Sequence, residues 1–280
     1  MRILERILKA DRRYVFLLIF LSVLIPLLRP LGLPTNVTKP VRDLYNEVDK
    51  IPPNGRPLLL SFDFEPATEP ELYPMVLAIL RHCFAKNIRV IGMTHLPGGV
   101  GLAERAILAT AIEYDKKSGA DYTFLGFLPG GSAVMLSMGE DIHRTFPRDY
   151  YGTDIDKIPM MSEVKNYDDI PLLISVSGAT YPVAWVVFAG SRYHQKIGCG
   201  TTAVSAAEYY AYLQTGQFVG MLGGLKGAAE YEHLIEKAGL TKARKAASIG
   251  MDAQSIVHLM IIFLIVLGNI AYFGVLRRKR

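Results

Sequence analysis

Cysteine is scarce: two residues, Cys83 and Cys199, in a chain of 280. So few exclude a fold stapled by several disulfides. Cys83 falls on the apolar face of a predicted helix, which suits a buried free thiol. A Cys83–Cys199 disulfide in an oxidising compartment is the other reading. Complete catalytic and nucleotide motifs are also missing. "SVSGA" around Ser177 is not G-x-S-x-G. Gly98-Gly99-Val100-Gly101 lacks the G-x-G-x-x-G spacing, and no Ser or Thr follows the lysine of "GGLKG" at 223–227. No 34-residue or similar helical repeat is present.

Charge is missing from two stretches. Residues 14–28, "YVFLLIFLSVLIPLL", and 255–276, "SIVHLMIIFLIVLGNIAYFGVL", carry none. The second is long enough to cross a bilayer unaided. The first is short, with Leu31 and Leu33 available to extend it and Arg29 able to snorkel. The sequence therefore predicts two transmembrane helices, at 14–33 and 255–276.

The net charge of +5 comes from the chain ends. Residues 1–13 carry five basic and two acidic side chains, and residues 277–280 are all basic. What lies between has a small acidic excess, so the basic balance marks membrane topology and not nucleic-acid binding. Both basic ends are expected in the cytoplasm by the positive-inside rule, which places the middle outside, in the cell membrane's extracytoplasmic space. Lys242, Arg244 and Lys245 run mildly against this. A cleavable signal peptide would also suit the N-terminus, but no small-x-small cleavage site follows. Asn36-Val37-Thr38 is a formal glycosylation sequon.

The expected organisation is a basic segment (1–13), a first span (14–33) and a stalk (34–56) with a short helix at 41–50. An α/β domain (57–250), a second span (255–276) and a basic tail (277–280) follow. Apolar runs at 58–64, 88–94, 122–128, 171–177 and 197–204 read as strands. Amphipathic stretches at 71–85, 102–117, 132–144 and 205–214 read as helices. Residues 218–239 read as a glycine-punctuated helical stretch whose Gly220, Gly223, Gly224 and Gly227 offer a smooth face to a partner. The alternation predicts a Rossmann-like or flavodoxin-like three-layer sandwich with a mainly parallel sheet. Residues 146–169 break the rhythm and read as a functional loop or lid.

Candidate chemistry gathers at strand ends. Asp63 and Glu65 close the first strand, two residues apart and so on one face, and His95 closes the second. If the two strands are neighbours, these three form an acid–base or metal set, at least partly open to solvent. "LPGG" follows a strand at 96–99 and again at 128–131, which puts both turns on the carboxyl edge where open α/β sheets bind ligands. Gly98, Gly99, Gly130, Gly131, Ser132 and Ser177 are the ligand-binding candidates. Free N–H groups at helix N-termini there suit a small anionic ligand. Thr68 and Glu71 read as a capping box. Asp154-Ile155-Asp156 is a D-x-D of the kind that holds metals. In the second span, His258 and Asn269 lie three turns apart on one face, which points to a partner helix.

Two functions follow. The first is a membrane-anchored extracytoplasmic domain that binds or assembles within a membrane complex, its partner another membrane protein or a second copy. The second is an extracytoplasmic hydrolase using Asp63, Glu65 and His95, with or without a metal. The sequence names no cofactor.

Overall fold

The computed structural model describes residues 11–241, 243 and 245–276. The basic clusters at 1–10 and 277–280, with Lys242 and Arg244, lie outside the described residues. The chain forms two compact units: Thr35–Ala247, and the two ends up to Pro34 and from Ser248.

In the larger unit the elements run α2 (Lys39–Asp49), β1 (Leu58–Asp63), α3 (Glu69–Ala85), β2 (Val90–Thr94), α4 (Val100–Glu113), β3 (Tyr122–Phe127), α5 (Ser132–Glu140) and α6 (Ile142–Thr145). Then come β4 (Leu173–Ser177), α7 (Tyr181–Trp185), β5 (Ile197–Thr201), α8 (Ala203–Gln214), β6 (Gly220–Gly223) and α9 (Gly224–Lys237). All six strands pair in parallel, in the order β3-β2-β1-β4-β5-β6. This is the Rossmann order, with its reversal between β1 and β4.

Every residue of β1, β2, β4 and β5 is buried, as a parallel sheet covered on both faces requires. α2, α3, α4 and α9 pack on one face. On the other, Met135, Met138, Trp185, Val186 and Tyr209 join the inward side chains of the strands in one core.

Several expectations need correction. Residues 220–223 are a sixth strand and not helix. Their glycines serve internal packing: a Cβ on Gly220 would run into the Leu44 backbone, and one on Gly227 would meet Leu222 at 2.9 Å. The expected stalk helix is α2, and it belongs to the domain, with Val41, Leu44 and Val48 buried. Residues 146–169 are no lid. They fold through three short 3-10 turns, bury Phe146, Ile155, Ile158, Met160, Met161 and Tyr167, and pass Tyr150 N–H to Phe124 O along the edge strand β3. The helix expected at 132–144 breaks at Asp141, whose carboxylate caps α6 through Arg144 N–H.

The unit of the chain ends holds α1 (Arg12–Leu28) and α10 (Ala246–Leu276), apart from Ala246 and Ala247 of α10, which belong to the larger unit. Among the described residues only α10 is long and apolar enough to cross a membrane. Its 31 residues rise about 46 Å, against a ~30 Å hydrocarbon core. α1 has 17 residues and rises about 25 Å, so the expected second span is not made by this helix alone. Its extension through Leu31 and Leu33 fails because Pro30 forces Arg29 out of the helical region, to φ −132° and ψ 90°. Beyond it, the N–H groups of Leu31, Gly32 and Leu33 all donate to the Asp252 carboxylate, at 2.9, 2.9 and 3.2 Å.

Candidate functional site

The reversal of strand order brings Asp63, at the end of β1, beside Ser177, at the end of β4. β2 lies on the other flank of β1, so His95 follows on the same carboxyl edge. The structure thus brings Asp63 and His95 together, but not as a carboxylate–imidazole pair. Asp63 Oδ1 accepts the backbone N–H of His95 at 2.7 Å. Its Oδ2 accepts the hydroxyls of Ser61 at 2.6 Å and Ser175 at 3.3 Å. The expectation of a partly open Asp63 is overturned, because the residue is fully buried. Alternation along β1 turns Ser61 and Asp63 inward together, and Ser175 on β4 completes the cradle. Burial pushes the Asp63 carboxyl up, while the His95 ring, the Ser61 hydroxyl, the His95 N–H and the Trp185 indole pull it back.

The His95 ring is 5% exposed and stacks on Tyr181, with centroids 5.3 Å apart and planes 10° apart. Trp185 lies on it at 5.2 Å. Both His95 ring nitrogens are buried without a hydrogen-bond partner. Burial pushes the His95 ring down, with Asp63 pulling it back up. An imidazole of this kind offers one donor and one acceptor, both unused.

Glu65 parts from Asp63 because β1 stops at Asp63. It is exposed, and its Oε1 lies over Gly98, where a Cβ would come within 2.6 Å. Tyr181 lies near both carboxylates: burial, then Asp63 and Glu65, push its hydroxyl up.

The two "LPGG" turns differ. Gly99 is pressed against β1, since a Cβ there would meet Phe64 O at 2.7 Å, so this copy is internal packing. In the second copy Gly130 and Gly131 hold φ of +134° and +50°, which only glycine accepts readily, and Ser132 beyond them is exposed. Ser177 is structural: its hydroxyl donates to Asp63 O at 2.9 Å and accepts Ala179 N–H at 3.0 Å.

Asp154 caps its own 3-10 turn and Asp156 pairs with His143 at 2.5 Å, which accounts for the D-x-D. Among the described residues, no three His, Cys, Asp or Glu side chains come together as a metal site. Cys83 and Cys199 are free and buried. Burial pushes Cys83 up to about 12 and Cys199 well up, so neither is a reactive thiolate.

Tyr181 and Trp185 were not singled out from the sequence. The signal was there, because two adjacent parallel strands at 171–177 and 197–204 need a crossover helix between them. In α10, His258 and Asn269 are exposed, and Asn269 Nδ2 donates to Ile265 O of its own helix. Comparison with protein-family profiles, curated proteins and solved structures found no match.

Proposed function

We propose that this protein is a membrane-anchored α/β domain that acts as a binding or assembly component of a membrane complex. Its domain stands on the extracytoplasmic side and both chain ends stay in the cytoplasm, a topology that requires α1 to cross the membrane together with the residues that flank it. The observation that carries the reading is α10. This long apolar helix exposes a histidine and an asparagine that have no tertiary hydrogen-bond partner among the described residues. Polar groups in lipid are costly and find partners on neighbouring helices. The basic chain ends support the orientation.

Crosslinking in lipid nanodiscs tests the reading. The double variant His258→Leu, Asn269→Leu should keep the domain folded and weaken helix association by about 0.6–2 kcal/mol per lost bond. Unchanged association would count against the docking role. Reporter fusions at Gly55 and after Arg280 test the orientation, and a cytoplasmic signal at Gly55 would overturn it.

A hydrolase using Asp63, Glu65 and His95 is favoured by one observation, the unpaired His95 ring. Against it, Asp63 is spent on the His95 main chain and two serines, and Glu65 stands apart at the rim.

A further inference from the structure

The two faces of α10 differ. On one, Ala253 and Ala271 are buried and Val257, Met260 and Leu264 are half-buried, covered inside the unit of the chain ends, where α1 buries Ser22 and Pro26. At about 100° per residue, the opposite face is centred on His258, Ile262, Ile265, Asn269 and Tyr272. All five are exposed, Ile262 at 57% and Ile265 at 58%. They alternate at steps of four and three residues, which is the a and d seam of a coiled coil. Ile262 and Asn269 take a, and His258, Ile265 and Tyr272 take d.

The chemistry of the seam selects its partner. Residues 253–276 contain no Asp, Glu, Lys or Arg, so a second copy brings no like charge to the contact. Two copies in one membrane share an orientation, so a two-fold pair sets each seam residue at the depth of its own counterpart. Asn269 fits that place. Its amide donates to Ile265 O at 2.9 Å, which leaves one N–H and the carbonyl oxygen unused among the described residues. Opposite Asn269 of a second copy, each of these groups meets its complement. A β-branched residue at one a position and an asparagine at another is the pattern that fixes a parallel two-stranded register. His258 and Asn269 stand about 16 Å apart along the axis. A different partner would need polar groups at both depths, and an identical helix already has them.

We propose that this chain pairs with a second copy of itself through the His258–Tyr272 seam of α10. The two helices run parallel, and their Asn269 side chains hydrogen-bond to one another. The proposal rests on the reading of α10 as a membrane helix that docks in an assembly, and it names the partner.

The test uses the full chain, purified and reconstituted in lipid vesicles at high lipid excess. Ile262→Cys and Ile265→Cys each place a thiol on the seam. Ile270→Cys, equally exposed at 57%, places one about 120° round the helix from the seam's centre. Cys83 and Cys199 are buried, so the native chain serves as the blank. Under mild oxidation, disulfide-linked dimers are expected from the two seam variants and not from Ile270→Cys or the native chain. Adding Asn269→Leu to Ile262→Cys should weaken the pairing about three- to thirtyfold. Equal crosslinking at all three positions reports random collision and overturns the proposal. Crosslinking at none of them, or indifference to Asn269→Leu, overturns it as well. Docking on a different protein is read separately, from the size of the assembly extracted from native membranes. If His258→Leu, Asn269→Leu changes that size while the purified chain forms no seam dimer, self-pairing falls and the docking reading stands. If neither responds, both fall.

Discussion

His82 is a buried ring whose surroundings fix its proton. Its Nε2 faces Asp49 Oδ1 at 3.4 Å and its Nδ1 faces the Tyr231 hydroxyl at 2.8 Å. A carboxylate cannot donate, so Nε2 carries the hydrogen and Nδ1 accepts from Tyr231. Tyr45 stacks on the ring at 4.5 Å, and Lys86 also holds Asp49. Burial lowers His82 to about 4, outweighing the pull of Asp49. The folded form therefore binds a proton less readily than the unfolded chain, whose histidine titrates near 6.5. Stability from this site is complete above pH 6.5 and falls as pH drops toward 4, by up to about 3 kcal/mol. His95, lowered by the same cause, adds in the same direction. Urea unfolding across this range should show the loss, and His82→Gln should flatten it. Glu230 is similarly confined: it accepts Thr38 N–H at 2.7 Å and Thr38 Oγ at 2.6 Å, capping α2, and pairs with Lys226. Glu230→Ala should cost about 1–3 kcal/mol in a denaturation midpoint series, because it strips a helix terminus of its acceptor. The sequence shows Thr38 before Lys39-Pro40 as a helix start, but no local pattern names a partner so far along the chain.

Helix α3 shows how a correct local signal can carry a wrong contact. "TEPE" at 68–71 marks the helix start, and α3 does begin at Glu69. The reciprocal capping pair does not form. The Thr68 hydroxyl turns back to Glu65 O at 3.3 Å, and Glu71 Oε2 accepts Ala203 N–H at 2.9 Å, holding the first turn of α8. Glu71→Ala should thus cost about 1 kcal/mol and loosen α8, while Thr68→Ala should cost less; hydrogen exchange at Ala203–Ala206 separates them. Strand β6 was hidden for a different reason. Four residues with a glycine at each end give too little period to read, and Gly220 is glycine because Leu44 of α2 lies on it. Gly220→Ala should lift α2 from the sheet at about 3 kcal/mol, measured by thermal melting. The stretch 146–169 fooled periodicity because irregular backbone carried its buried side chains. Its packing predicts that limited proteolysis of the native protein leaves it intact, where a lid would be cut early.

At the scale of the molecule, the alternation of buried runs with amphipathic helices was enough to read a parallel α/β sheet, because βαβ units write both periods into the sequence. The strand order was not legible, since register and order depend on which faces meet. The edge position of Asp63 and His95 followed from the strands, but the burial of Asp63 needed Ser61 and Ser175 to be seen beside it. Composition alone overstates the reach of the first apolar helix, because Pro30 ends it at Leu28.

The contact between α2 and β6 sets the order in which the protein can be made. Thr38 and Glu230 lie 192 residues apart, so the domain's first helix finds its seat only after the last strand has been synthesised. Until then Val41, Leu44 and Val48 are only partly covered: Leu44 can meet Gly198 of β5, but its seat on Gly220 does not yet exist. Closure over so long a loop is slow, and a part-covered apolar helix beside a half-built sheet is prone to wrong partners. Ribosome-bound chains stopped before residue 220 should therefore be cut by protease within 39–49, and chains released past residue 237 should resist. The interval between those two lengths is when this protein would call on a chaperone.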